Sequence, residues 1–201
     1  IFNQGGNAVD AASAMLAVSA TIWDTMGWGG ETQALIYDPR SGEVIAINAL
    51  GVAPSNATPE KYRSMGMAHP PDYGPLAAVT PGTPGGLLVM LAEYGSMSLA
   101  DVLAPAMELA EGYPIEQVQA ETIQLYKDLI QLWPDSKRVF LPHYNPLNPN
   151  GWSAPRPGEI FRQPELLNTL VRLVDAEQQA LQSGLNRKEA IYAAYERFYR
   201  G

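Results

Sequence analysis

The stretch that decides the fold is residues 27–54, GWGGETQALIYDPRSGEVIAINALGVAP. Two runs within it, Thr32 to Tyr37 and Glu43 to Asn48, have the composition of β-strands. The DPRSG segment between them predicts a turn, because Pro39 presets its own φ and Gly42 can adopt a left-handed conformation. Glycines before the first strand allow close backbone contact there. The sequence therefore predicts an antiparallel β-hairpin that follows a glycine-rich segment.

The residues before the hairpin predict a helix from Ala8 to Thr21, made almost entirely of small or apolar side chains. Asn7 is suited to the N-cap, because its side-chain oxygen can accept a hydrogen bond from a free amide of the first turn. Asp10 adds a capping-box-like acid near the positive end of the helix dipole. The run has almost no polar face, so we expect the helix to be buried on most sides. It is too short and too interrupted by polar residues to span a bilayer.

The chain after the hairpin is predicted to be mostly helical, with long loops at residues 53–86 and 133–162. Asn186 and Glu189 form the pattern of a capping box, and Pro105 is expected to kink or divide its helix. The second loop is rich in proline, asparagine and glycine, and a loop of that length is typical of a lid, a binding arm or a partner contact. The predicted helices cover residues 87–94, 99–111, 116–132, 164–182 and 187–199.

Composition limits the classes of function. A chain of 201 residues is long enough for one domain with a sizeable core. A net charge of −8 without clusters of Lys or Arg argues against a nucleic-acid partner, because neutralising phosphates needs such clusters. Cysteine is absent, which excludes disulfides, thiol nucleophiles and thiolate metal sites. Charged residues make up only 17% of the chain, which indicates that another chain covers part of its surface.

No pattern of catalytic or metal-binding residues is visible in the sequence itself. His69 and His143 each neighbour a proline in a predicted loop, far apart and without a carboxylate pattern, so neither a metal site nor a catalytic triad is indicated. The TPGTPGG segment lacks the Lys-Ser/Thr pair of a phosphate-binding loop, and it predicts a tight turn before a helix. From the residues alone, the chain is an α+β fragment with one hairpin and no visible active site.

The order of several motifs resembles the γ-glutamyltranspeptidase family. The resemblance begins with QGGNAVDAA and its small-residue helix, and continues through the glycine-rich segment, the hairpin and the AP-x-x-A-T stretch that starts at Ala53. It extends over VTPGTPGG, the helix LAPAMELAEG, the segment FRQPELLNTL and the closing FYRG. These segments follow the order of the family over essentially the whole chain, which makes the series specific although each motif is weak alone.

The resemblance implies a partial αββα fold of the N-terminal-nucleophile hydrolases, with residues 1–201 as a single-domain fragment of the large subunit, incomplete at both ends. In this family a proenzyme cuts itself, and the new N-terminal threonine of the small subunit acts as nucleophile and base. That threonine is expected outside this chain, so no catalytic residue is assigned within it. The implied partner is the small-subunit portion of the same proenzyme, and the implied substrate is a small acyl amide. A periplasmic or extracellular location is implied by analogy, and no metal or organic cofactor is implied.

One position departs from the family pattern. Members that take γ-glutamyl substrates carry an arginine shortly before the AP pair, where it binds the α-carboxylate of the substrate, and Leu50 occupies that position here. Leucine offers no hydrogen-bond donor, and a charge-assisted pair contributes roughly 1.5–3 kcal/mol. We therefore expect either a different acyl group or a carboxylate held by another residue. Asn48, on the same side of the strand as Leu50, is one candidate for substrate binding, and Arg63 is another.

Two classes of function are compatible with these observations. The first is a threonine-dependent enzyme that transfers or hydrolyses a γ-glutamyl or related acyl amide, in which this chain by itself is inert. An acylase or amidohydrolase with another specificity belongs to the same class. The second is a non-catalytic scaffold or binding domain that kept the fold. A four-helix structural module fits poorly, because it has no place for the hairpin and the glycine-rich loops.

Overall fold

The computed structural model describes residues 1–22, 26–148 and 151–201. Among these residues the arrangement is α+β, with helices dominating and one long hairpin providing most of the strand residues. The helices are α1 (Ala8–Ile22), α2 (Pro59–Ser64), α3 (Thr83–Tyr94), α4 (Leu99–Glu111), α5 (Gln117–Leu125), α6 (Lys127–Ile130), α7 (Pro134–Phe140), α8 (Pro164–Gln182) and α9 (Arg187–Arg200). The strands are β1 (Thr32–Asp38), β2 (Glu43–Ala49), β3 (Tyr113–Pro114), β4 (His143–Tyr144), β5 (Trp152–Ser153) and β6 (Ile160–Phe161).

The hairpin predicted from residues 27–54 is confirmed. Strands β1 and β2 pair antiparallel with Leu35 opposite Ala46, and Gly42 adopts a φ of 73° in the turn. One face of the hairpin packs against α3. The opposite face, called the outer face here, exposes apolar side chains, among them Leu35 at 76% and Tyr37 at 64%. A sheet face of this composition is typical of one that packs against another layer.

Helix α1 matches its predicted bounds to within one residue. The backbone N–H groups of Val9 and Asp10 donate to Asn7 Oδ1 at 2.8 and 3.0 Å, and Asn7 N donates to Asp10 Oδ2 at 2.7 Å. The predicted cap is therefore confirmed. The expected burial on most sides holds except along one strip, where Ala8, Ala12 and Met15 are exposed, Met15 by 70%.

Five helices build the main core. Helix α1 packs on α3 and α4, α4 packs on α8, and α9 packs on both α3 and α8. Small side chains of α1 such as Ala14 and Ala17 meet leucines of the neighbouring helices, which lets the helix axes approach closely. The largest buried side chains of this core are Leu87, Leu88, Leu91, Leu99, Leu103, Leu170 and Ile191.

A second, smaller core lies between residues 113 and 161. Tyr113 on β3 packs edge-on against Phe161 on β6, with ring centroids 6.0 Å apart. Ile123 of α5 and Leu141 are buried in the same cluster. The prediction of one long loop at residues 133–162 is therefore wrong for α7 and three short strands, which are ordered by apolar contacts with residues 113–130. The other described residues of the segment lie outside helices and strands. Positions 149 and 150 of that loop lie outside the described residues.

Three other helices differ from the sequence expectation. Helix α3 begins at Thr83, four residues earlier than predicted, because Thr83 and Pro84 are buried and a proline is well tolerated in the first helical turn. Pro105 lies inside a single continuous helix α4 and does not divide it. The predicted helix over residues 116–132 is interrupted at Tyr126, between α5 and α6.

The turn at residues 95–98, between α3 and α4, is the point where several helices are tied together. The fully buried carboxylate of Asp10 accepts hydrogen bonds from Ser96 N at 2.8 Å, Ser96 Oγ at 2.7 Å and Met97 N at 3.1 Å. Burial raises the pKa of Asp10, but the bonds from Ser96, Asn7 and Met97 outweigh it and hold the pKa below its ordinary value. Helix α1 is thereby fixed to the turn.

Two further charged side chains act on the same turn. Arg187 of α9 donates four hydrogen bonds to the carbonyl oxygens at positions 91, 92, 95 and 97, at 2.8 to 3.1 Å. Glu177 of α8 accepts from the first amides of α4, Leu99 N at 2.7 Å and Ala100 N at 3.2 Å. Both residues satisfy backbone groups that a helix end leaves unpaired. Burial raises the pKa of the Glu177 carboxyl above its ordinary value despite these two bonds.

Candidate functional site

A cleft of about 430 Å³ lies where the end of β2 meets the start of α3 and the last turn of α9. Strand β2 contributes residues at its end, the segment before α3 contributes glycine and proline, and α9 contributes tyrosines and an arginine. The cleft contains both residues that the sequence singled out, Leu50 and Asn48. Its lining residues are Ile47, Asn48, Ala49, Leu50, Gly51, Val52, Thr80, Pro81, Gly82, Gly85, Gly86, Val89, Tyr195, Tyr199 and Arg200.

The floor of the cleft depends on two glycines at which backbones touch. A Cβ atom on Gly51 would lie 1.9 Å from Thr80 O, and one on Gly82 would lie 2.0 Å from Ala49 O. No real side chain can approach a carbonyl oxygen that closely, so any other residue would push the hairpin away from the turn. These contacts explain why position 82 of the TPGTPGG segment must be glycine. The prediction that the whole segment is a tight turn is wrong for residues 83–86, which form the first turn of α3.

Hydrogen bonds between backbones fix the same contact. Thr80 N donates to Val52 O at 2.9 Å, which extends the strand-like contact past the end of β2. Gly30 O accepts from both Gly82 N at 2.8 Å and Thr83 N at 3.0 Å. The close backbone contact predicted for the glycine-rich segment before β1 is therefore present, and it is made with the start of α3. The consequence is a cleft whose floor is rigid backbone.

Tyr199 joins the last turn of α9 to this floor. Its hydroxyl donates to Pro81 O at 2.6 Å and accepts from Gly85 N at 3.0 Å. Burial raises the pKa of the Tyr199 hydroxyl, although the bond from Gly85 lowers it, so the group stays protonated and keeps its donor role at neutral pH. Tyr195 packs beside it with ring centroids 4.7 Å apart. These rings close one side of the cleft.

Leu50 and Asn48 lie on the exposed side of the hairpin end, as the two-residue period of a strand predicts. Leu50 is 57% exposed, and its backbone N–H donates to Asn48 Oδ1 at 3.2 Å. The amide oxygen of Asn48 is therefore engaged locally, while its amino group makes no hydrogen bond with the residues that the structure describes. The pair presents one apolar side chain and one neutral donor.

The structure separates Arg63 from this cleft and brings a different arginine to it. Arg63 lies on α2, where it is exposed and pairs with Glu60 at 3.6 Å, and it does not line the cleft. Arg200 lies at the rim of the cleft, with its guanidinium 2.9 Å from Glu196 on the same helix. Among the described residues that line the cleft, Arg200 is the one with a positive charge. No local sequence signal marks Arg200, because about 150 residues separate it from Leu50.

The two histidines lie away from the cleft. His69 Nδ1 lies 2.9 Å from the oxygen of Pro70, and His143 Nε2 lies 2.6 Å from Glu159 Oε2. His143 thus has a carboxylate partner 16 positions away in sequence. The backbone N–H of Arg156 and, after it, His143 hold the pKa of Glu159 below its ordinary value. Within residues 1–22, 26–148 and 151–201, no group of three or more His, Asp or Glu side chains is arranged to hold a metal ion.

Residues 1–193 match the sequence pattern of the family Gamma-glutamyltranspeptidase. The chain belongs to this family. The resemblance stated from the motifs is therefore confirmed over nearly the full length of the chain.

Two curated relatives and one solved structure illustrate the range of proteins to which this chain is similar. The chain is 32% identical over 187 residues to the glutathione hydrolase-like YwrD proenzyme of Bacillus subtilis, covering 92% of this chain and 34% of that protein. It is 35% identical over 178 residues to the oxamate amidohydrolase proenzyme of Klebsiella pneumoniae, covering 85% and 32%. The crystal structure of the Helicobacter pylori gamma-glutamyltranspeptidase superposes with a TM-score of 0.75 and 30% identity, over 94% of this chain and 58% of that one.

The gamma-glutamyltranspeptidase relatives are larger than this chain, which spans about a third of the length of the curated proteins it matches. Both relatives are named proenzymes, and this chain aligns with one part of each. None of the helices in the described part of the chain has the length and hydropathy needed to cross a membrane.

Proposed function

We propose that the protein containing this chain is an amide hydrolase or acyl transferase of the N-terminal-nucleophile type whose preferred acyl group is not γ-glutamyl. Leu50 carries this proposal. It stands at the position before the AP pair where γ-glutamyl-specific family members have arginine, and its exposed side chain offers no donor to a carboxylate. A substrate carboxylate left unpaired there would lose affinity through desolvation.

The role proposed for this chain is to supply the large-subunit half of the αββα arrangement. The outer face of the hairpin supports this role, because its exposed Leu35, Tyr37 and Val44 form an apolar surface suited to a second sheet. The proposed partner is the small-subunit portion of the same proenzyme. The threonine nucleophile would come from that portion, outside residues 1–201.

The proposed reaction is acyl transfer. The threonine amino group takes the proton of the threonine hydroxyl as the hydroxyl oxygen adds to the amide carbonyl carbon. The amino group then gives this proton to the amide nitrogen, the C–N bond breaks, and the amine leaves. Water or an amine acceptor then releases the acyl group from the ester. In this reaction Leu50 would contact the acyl chain and the amino group of Asn48 would donate to it. The Klebsiella relative supports the proposal, since its name specifies oxamate and not a γ-glutamyl compound as substrate.

The test compares a γ-glutamyl p-nitroanilide with a neutral acyl p-nitroanilide on the protein at its natural length. We expect kcat/KM to favour the neutral compound. We expect Leu50→Arg to move the ratio toward the γ-glutamyl compound by about tenfold, because a new charge-assisted pair is worth about 1.5 kcal/mol or more. Leu147→Arg is the matched control, since Leu147 is 92% exposed and does not line the cleft, and it should leave the ratio unchanged.

A wild-type preference for the γ-glutamyl compound would contradict the proposal. Arg200 favours the second candidate, a γ-glutamyl hydrolase in which this residue holds the carboxylate from the rim of the cleft. In that case Arg200→Gln would raise KM for the γ-glutamyl compound. Failure to turn over either compound, by a protein shown to be folded, would support the non-catalytic scaffold instead.

A further inference from the structure

A second cavity, of about 470 Å³, lies away from the cleft and shares no lining residue with it. It opens between the 73–76 segment and helices α5, α6 and α7. We call it the aromatic pocket, because four rings form its walls. The rings belong to Tyr73, Tyr126, Trp133 and Phe140, and the hydroxyls of Thr122 and Ser136 also line it.

The walls of the aromatic pocket are held in place before any ligand arrives. Gly74, at a φ of 89°, lies so close to the Trp133 ring that a Cβ atom there would be 2.9 Å from Cζ2. The buried Tyr62 donates its hydroxyl to Leu76 O at 2.9 Å, and Ala77 N donates to Gly74 O at 3.0 Å. The segment is thereby anchored against the indole. A preformed cavity spends less binding energy on ordering its own walls.

The polar groups of the aromatic pocket are mostly unused. The Thr122 hydroxyl donates to Val118 O at 2.8 Å. By contrast, the hydroxyls of Tyr73, Tyr126 and Ser136 and the indole N–H of Trp133 make no hydrogen bond within the described part of the chain. Tyr73 is 59% exposed and Tyr126 is 47% exposed, so the mouth is open to solvent. Free donors beside aromatic walls suit a ligand that brings a π-face and a hydrogen-bond acceptor.

The lack of charged side chains among the described lining residues limits the class of ligand further. The described lining residues of this cavity include no Asp, Glu, Lys or Arg, so an ionised ligand would lose its hydration without gaining a counter-charge. The volume lies within the range of small-molecule sites and exceeds what one aromatic ring needs. We infer that the aromatic pocket binds a small neutral molecule that carries an aromatic ring and a carbonyl acceptor, such as an aryl amide.

The experiment titrates the protein at its natural length with phenylacetamide and follows the indole N–H signal of Trp133 by NMR, assigned with a Trp133→Phe variant. We expect a saturable shift with a dissociation constant on the order of 1 mM, given the ligand's size. Two related compounds serve as comparison ligands. Phenylacetate carries a negative charge, and cyclohexylacetamide lacks an aromatic π-face. Both should bind at least about fivefold more weakly.

Matched variants distinguish binding in the aromatic pocket from nonspecific binding elsewhere on the protein. Tyr126→Ala should weaken binding about threefold or more, because it removes one ring wall. Tyr144→Ala is the control, since Tyr144 is similarly exposed at 54% but lies outside the pocket, and it should leave binding unchanged. Ser136→Phe should fill the cavity and abolish binding. Thermal unfolding of each variant establishes that it is folded.

Three results would overturn the inference. One is equal binding of phenylacetamide, phenylacetate and cyclohexylacetamide. Another is unchanged binding by both folded pocket variants, Tyr126→Ala and Ser136→Phe. The third is a Trp133 indole N–H that exchanges slowly with water in the free protein, which would mean that another segment fills the pocket. None of these measurements depends on turnover, so the outcome is independent of the proposed function.

Discussion

The two ends of helix α9 lie in regions that use arginine in opposite ways. Near the start of the helix, Arg187 donates four hydrogen bonds to carbonyl oxygens around the 95–98 turn. At the end, Arg200 lies at the rim of the cleft with its side chain 78% exposed and an ion pair to Glu196. The guanidinium of Arg187 is bonded to the protein backbone, whereas that of Arg200 has most of its N–H donors available to solvent or a ligand.

The same contrast extends to the neighbours of each arginine. Around the 95–98 turn, Asp10 and Glu177 also direct their charges at backbone groups, and both are fully buried. Around the cleft, Leu50 and Asn48 are exposed and add little to the core. The difference teaches that a buried, fully bonded charge in this molecule indicates structure, whereas an exposed side chain over rigid backbone indicates a place for a ligand.

The largest expected effect tests the structural side of the comparison. Arg187→Ala should lower the free energy of unfolding by about 3 kcal/mol, because it leaves four carbonyls at the end of α3 and in the 95–98 turn without their charged donor. Arg200→Ala, on the same helix, should lower it by less than about 0.5 kcal/mol, as is usual for an exposed pair. Chemical denaturation of the two variants in parallel measures both values. Equal losses would remove the distinction between the two regions.

An intermediate effect concerns the two buried carboxylates, which should respond to pH in opposite directions. The folded-state pKa of Asp10 is lowered, so its stabilisation is present above its ordinary pKa near 3.8 and is lost as pH falls through the lower folded value. Asp10→Asn should therefore cost about 2 kcal/mol at pH 7 and less near pH 3. Unfolding at both pH values measures the change.

The carboxyl of Glu177 should affect stability with the opposite pH dependence. Its folded-state pKa is raised above the ordinary value of 4.5, so the wild type loses stability as pH rises from 4.5 through the folded value. Glu177→Gln cannot ionise, and its stability relative to wild type should improve across that window. If Asp10→Asn and Glu177→Gln changed with pH in the same direction, the assignment of burial as the dominant cause at Glu177 would be wrong.

The smallest expected effect tests whether the cleft contributes to stability at all. Tyr199→Phe removes the hydroxyl that bridges Pro81 O and Gly85 N, and should cost about 1 kcal/mol. Tyr144→Phe is the control, because no hydrogen bond of its hydroxyl is present among the described residues. Thermal unfolding measures both. A loss as large as that of Arg187→Ala would show that the floor of the cleft is part of the main structural core.

Local signals predicted the elements that depend on neighbours in sequence. The hairpin, the Asn7 cap and the capping box of Asn186 and Glu189 all appear where the residues indicated them. Each involves groups within a few positions of one another, so composition and spacing were enough. The failures share the opposite property. The ordered segment at residues 133–162 and the early start of α3 depend on packing against distant parts of the chain.

The sequence by itself determined the family, the α+β class, and the hairpin with its neighbouring helix. Only the tertiary structure decided which distant groups meet: Asp10 with the 95–98 turn, Arg187 with four carbonyls, and Arg200 rather than Arg63 with the cleft. The physical reason is that caps and turns are satisfied by adjacent residues, whereas a buried charge or a cleft is defined by whichever elements pack around it.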